Sequence, residues 1–158
     1  MKRILAFLSI AIFSIFIGSQ ITEGFLLVPH WKSLSTTDFY EYYSKFGKTI
    51  GQFYTILTVI SALIPISISV YCFRKKSPAL KHALFSSFLI LLCIAFFYIY
   101  FKDVNQQFYN ASLSATELKS ELKTWEYWHW SRVILEFLSL IFLMLSLNIL
   151  TKKRILKS

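Results

Sequence analysis

The chain has 158 residues, 56% of them hydrophobic and 18% aromatic, with only 16% charged and a mean hydropathy of +0.56. That balance is too apolar and too poor in charge for an ordinary soluble domain of this size. The formal net charge of +9 is confined to the ends of apolar runs, which argues against a nucleic-acid-binding surface.

Four stretches, 4–28, 49–73, 82–101 and 131–151, are long enough to cross a hydrocarbon layer of ~30 Å, which takes roughly 20 helical residues. They predict an all-α fold, an integral membrane four-helix bundle, with residues 1–158 as one domain. The first stretch, MKRILAFLSIAIFSIFIGSQ, shares the basic start and apolar middle of a signal peptide. It lacks a clean small-x-small cleavage site, so it reads as an uncleaved span.

After it, PHWKSLSTTDFYEYYSKFGK offers Thr37 as an N-cap, an aromatic stripe at Phe39, Tyr42, Tyr43 and Phe46, and Gly47 as a stop. This predicts a short interfacial helix. The connection RKKSPALKH after the second span reads as a short charged turn. Cys72 and Cys93 read as buried small hydrophobes rather than a redox or metal pair.

Beyond the third span, Ser114 and Glu117 have the spacing of a capping box, which starts a helix well before span four. From there Leu118, Leu122, Trp125, His129, Arg132, Glu136, Ser139, Leu143, Ser146 and Leu150 recur at alternating intervals of four and three. That is the stripe of a helix of roughly 35 residues packing left-handedly on its neighbours.

The charges fix an orientation. Lys2, Arg3, Arg74, Lys75, Lys76, Lys81, Lys152, Lys153, Arg154 and Lys157 cluster with no acid among them, whereas every acid lies elsewhere. The positive-inside rule then places both termini in the cytoplasm, with contact to membrane lipid.

The stripe carries the chemistry. Trp125, His129, Arg132 and Glu136 fall within an arc of about 60° on one helix face, and Glu136 lies roughly 7 Å inside the outer surface. Ser19, Gln20 and Glu23 of span one, Gln52 and Thr55 of span two, and Asn105 and Gln106 beyond span three reach a comparable level, while the cytoplasmic half offers almost nothing similar.

An ionisable residue inside a span usually faces a partner or cavity. His129 can move a proton near neutrality, and Arg132 can hold an oxyanion with its planar fork of donors. Trp125 offers a flat wall to an aromatic ligand, and Glu136 can orient His129 or Arg132. The competing structural reading makes Arg132 a snorkelling residue or, with Glu23, an ion pair that sets helix register. Trp128 and Trp130 read as members of an aromatic belt. His30, His82 and His129 show no recognised metal or haem spacing.

GSQITEGFLLVP at the end of span one, VNQQFYN after span three, and Trp125, His129 and Arg132 leading into the last span together resemble the anthrone-oxygenase-like membrane proteins, most of them small bacterial proteins. The resemblance implies a four-helix membrane fold in a bacterial cytoplasmic membrane. From the fungal branch it implies oxidation of an anthrone to an anthraquinone with molecular oxygen, without a recognisable cofactor motif. Asn105, Trp125, His129 and Arg132 occupy the motif positions, although many relatives carry Asn where this chain has His129.

The resulting expectation is a membrane oxidoreductase for a lipophilic aromatic small molecule of anthrone or quinol type. His129 and Arg132 would be catalytic, and Glu23, Gln52, Asn105, Trp125 and Glu136 would bind substrate, with no metal. The alternative is a non-enzymatic membrane protein that binds lipid, quinone or haem, or serves as a subunit of a complex. Cofactor and oligomeric state stay open.

Overall fold

The computed structural model describes residues 3–155, with side chains to Lys152. Of the basic clusters, Lys2 and Lys157 therefore lie outside the described residues, as do the side chains of Lys153 and Arg154. Four helices make up the described chain: α1 (Arg3–Ser33), α2 (Thr36–Arg74), α3 (Leu80–Tyr109) and α4 (Ala115–Ile155). All four are long and apolar enough to cross a membrane. Consecutive helices are joined by two to five residues, so they run antiparallel, and α4 closes the bundle against α1. The end carrying the 34–35 and 110–114 connections is called distal below.

The helices outrun the predicted spans. The 39 residues of α2 extend to about 58 Å at ~1.5 Å per residue, nearly twice a hydrocarbon layer. The surplus lies mainly at the distal end, where Lys32, Asp38, Glu41, Lys102, Glu117 and Glu126 cluster, because charge is costly inside lipid.

The expected interfacial helix is not a separate element. Its N-cap is Ser35 rather than Thr37, with the Ser35 hydroxyl accepting from the Asp38 N–H at 3.2 Å, and the helix continues through Gly47 to Arg74 without a break. Gly47 is a packing residue, since a Cβ there would stand 2.8 Å from the Tyr43 ring. No glycine in the described chain takes the positive φ that would stop a helix.

The start of α4 is the one the capping box predicts. The Ser114 N–H donates to Glu117 Oε2 at 2.8 Å, and the Glu117 N–H reaches back to Ser114 Oγ at 3.4 Å. Along α4 every residue of the heptad stripe is buried except Arg132, which is half-buried.

Two apolar cores result. The proximal one gathers Phe13, Phe16, Ile90, Leu143 and Leu147, with Cys72 and Cys93 buried and free as small hydrophobes. The distal one is mostly aromatic, built from Trp31, Phe39, Phe101, Phe108, Leu122 and Trp125. Gln20, Glu23, His129, Arg132 and Glu136 fall between the two in sequence on α1 and α4.

The proximal half is more polar than the sequence suggests. Ser86 and Ser139 exchange hydroxyl-to-carbonyl bonds at 2.8 and 2.9 Å across α3 and α4, and Ser69 meets Ser87 at 2.9 Å across α2 and α3. Small hydroxyl residues let the helices approach closely and supply bonds that lipid cannot. They resemble apolar residues in the stripe pattern because they occupy packing positions.

Candidate functional site

Two wide turns position the site. Residues Glu23–Leu27 of α1 and Phe97–Phe101 of α3 are π-helical, with the Val28 N–H bonding the Glu23 carbonyl and the Lys102 N–H bonding the Phe97 carbonyl. Pro29 contributes to the first, because its ring nitrogen cannot donate to the carbonyl four residues back. Such turns insert one residue and re-aim the side chains that follow.

The first turn brings Glu23 and Gly24 inward, both buried. A Cβ at Gly24 would stand 2.7 Å from Trp130 Cζ2 and 3.1 Å from His129 Nε2, so glycine permits the approach of α1 to α4. Gly24→Ala should therefore destabilise the protein by about 1–3 kcal/mol through overpacking. Gly18→Ala, with nothing within 4 Å, should be neutral or stabilising by up to ~1 kcal/mol from helix propensity. Paired thermal melts of the two variants check this.

His129 is fully buried, and Glu136, Glu23 and Arg132 expose 1%, 4% and 13% of their side chains. His129 Nε2 lies 2.9 Å from the Gln20 carbonyl. A carbonyl can only accept, so Nε2 carries the proton. Nδ1, 3.2 Å from Arg132 Nη2, then presents its lone pair to the guanidinium, which makes the imidazole neutral. Arg132 Nη2 also donates to Gln20 Oε1 at 2.6 Å.

The two carboxyl groups stand just outside hydrogen-bonding range. Glu23 Oε2 is 3.6 Å from both His129 Nδ1 and Arg132 Nη2, and Glu136 Oε1 is 3.7 Å from Arg132 Nε. Glu23 Oε2, Glu136 Oε2 and Arg132 Nε consequently have no hydrogen-bond partner despite burial. Each such atom costs about 1–3 kcal/mol, and more when charged.

Aromatic rings wall the cluster. Trp125 stacks on His129 at 5.1 Å and 11°, and the Arg132 guanidinium sits 4.7 Å over Phe101. Asn105 takes part through Trp125, whose indole N–H donates to Asn105 Oδ1 at 3.0 Å. Trp130 is no isolated belt residue, since it meets the His129 ring edge to face at 5.8 Å. Trp128 stacks on Tyr100 at 5.1 Å and 12°.

Six of the seven residues expected at the site thus belong to one contiguous assembly. Gln52 does not: it is exposed on α2. Thr55 and Gln106 are exposed too and bond locally, to the Gly51 carbonyl and to Asn110. From α2 it is Tyr54 that approaches, its hydroxyl donating to the Ser19 carbonyl at 3.2 Å.

Gln20 anchors both His129 and Arg132. Its spacing of three from Glu23 inside an apolar span is the signal for it. Phe101 and Gly24 carry no comparable signal, because π-turns decide their direction.

Two lateral clefts flank the assembly. One, about 380 Å³, is lined by Leu27, Tyr42, Phe46, Phe53 and Tyr54. The other, about 320 Å³, lies between α1 and α4 and is lined by Ile21, Phe25, Trp130, Val133, Ile134 and Phe137. Among the described residues, no group of three or more His, Cys, Asp or Glu side chains is placed to hold a metal ion. No family model, curated protein or solved structure matches the chain.

Proposed function

We propose that the chain is a membrane oxidoreductase whose buried distal cluster removes a proton from a lipophilic aromatic substrate of anthrone or quinol type, with molecular oxygen as oxidant. The observation that carries this reading is a neutral imidazole buried against a guanidinium and two carboxyl groups. Ionisable groups inside a span are costly and mark proton or ligand chemistry, and Arg132 supplies the donor that a reacting oxyanion needs.

His129 takes the substrate proton at Nδ1, and Glu23 at 3.6 Å balances the imidazolium. Arg132 offers its Nε–H, which Glu136 faces only at 3.7 Å, to the substrate oxyanion, and Glu136 balances the charge of the guanidinium. Asn105 orients Trp125, which keeps the imidazole plane fixed. In net terms an anthrone and one dioxygen give the quinone and one water, while a quinol and dioxygen give the quinone and hydrogen peroxide.

The test is oxygen uptake by the purified protein in nanodiscs supplied with anthrone or a lipophilic quinol. Substrate-dependent uptake supports the reading, and its absence with both substrates overturns it.

One observation favours a second reading, a non-enzymatic lattice: Gln20 ties α1 to α4 through both its backbone and its side-chain oxygen. In that case the protein would act as a lipid-, quinone- or haem-binding membrane subunit.

The orientation belongs to the same proposal. The basic clusters motivate a cytoplasmic location for the 75–79 turn and both termini, with the site in the outer half of a bacterial cytoplasmic membrane. Reporter fusions after Lys76 and after Ser158 should both report cytoplasm, and an external signal from either reverses the assignment.

A further inference from the structure

We infer that substrate reaches His129 sideways from the lipid, through the cleft between α1 and α4, and that the Trp130 ring is the gate. The inference rests on the function proposed above for His129 and adds the route by which substrate enters and the residue that gates it. His129 is wholly buried, so any substrate must displace something to touch it. Trp130 both lines this cleft and packs on the His129 ring.

The opposite cleft is less suited to entry. Its inner wall is Tyr54, tethered by a hydrogen bond to the Ser19 carbonyl, and opening there would strand a hydroxyl and a carbonyl. Trp130 is seated instead by ring contacts, edge to face against Phe25 at 4.9 Å and against His129. Its ring lies where a side chain at position 24 would stand, so glycine supplies the seat. A rotation of Trp130 about its side-chain bonds joins the cleft to the imidazole without breaking a helix.

The cleft also states what it takes. About 320 Å³ lined by Ile, Val, Leu and Phe side chains with Trp130 at its inner end accepts a flat apolar body of two or three fused rings. Behind the gate stand His129 and its partners Gln20 and Arg132, so the ligand carries its hydroxyl at the leading end. A fused-ring phenol or its keto tautomer satisfies both conditions.

A diazirine derivative of 2-naphthol, photolysed with the full chain in nanodiscs and mapped by mass spectrometry, tests this. Adducts are expected on Ile21, Phe25, Ile134 or Phe137, competed by unmodified 2-naphthol. Ile134→Trp fills the lipid-exposed rim and should cut labelling about tenfold or more, whereas Ile134→Val should preserve it. Trp130→Ala should bring adducts onto His129 itself.

Adducts confined to Phe46 and Phe53, labelling unaffected by Ile134→Trp, or no adduct in either cleft would each overturn the entrance. The two proposals fail separately. Labelling at the cleft without oxygen uptake removes the oxidoreductase and leaves the entrance, while uptake that is unchanged in Ile134→Trp removes the entrance alone.

Discussion

Arg132→Met should destabilise the solubilised protein by about 3–5 kcal/mol, the range for breaking a buried ion cluster by removing one partner. Methionine matches the length of the arginine stem but leaves Glu23 and Glu136 without the cation between them. Both carboxyl groups would have to take up protons or admit water, and Gln20 Oε1 would lose its 2.6 Å donor. The triple change Arg132→Met, Glu23→Gln, Glu136→Gln removes every charge and should recover most of that loss. Thermal melts of the two variants check this; equal melting temperatures would mean that the carboxyl groups left without the cation carry no cost. The triple variant also separates the two functional readings, because a lattice survives the loss of charge and an acid–base site does not.

His129→Ala should lower oxygen uptake by about 10²–10⁴-fold, the usual contribution of a positioned general base. The loss should fall on kcat rather than KM, since His129 acts on the transferring proton and not on the apolar body of the substrate. His129→Gln can place an amide N–H near the position of Nε2, so it keeps a hydrogen bond to the Gln20 carbonyl within reach and removes the base. It should melt near the wild type yet be as inactive as the alanine variant. Full turnover in His129→Gln would take the proton-transfer role away from His129.

The bundle and half of its site were legible because their signals are periodic. The stripe from Leu118 to Leu150 encodes one face of α4, so the burial of Trp125, His129 and Glu136 follows from spacing alone. Ser114 and Glu117 specify a helix start by hydrogen bonds that their side chains must make locally. Glu23 was visible as an acid in an apolar run.

What was not legible depends on register. Phe101 and Gly24 owe their direction to π-turns, which follow from the balance of packing and backbone bonds over five residues and leave no repeat in the sequence. Gly47 misled because glycine both stops helices and lets a ring lie on the backbone, and only the Tyr43 contact decides between them. Gln52 misled because equal depth is not equal azimuth: a residue at the right level of α2 still points to the wrong side of it.

The two π-turns carry a consequence at the level of the gene. Each holds one residue more than an α-helix needs, so loss of a single codon within 23–27 or 97–101 would restore ordinary α geometry and leave the helix intact. Everything downstream would keep its direction, because five residues of a π-turn and four of an α-helix sweep nearly the same arc of about 400°, so Trp31 or Val104 and Phe108 would stay in the distal core. The same loss in an α-helical stretch would swing everything beyond it by about 100° and unmake the cluster. The spare residue in each turn thus makes it the place where a span can lose a residue and keep its alignment.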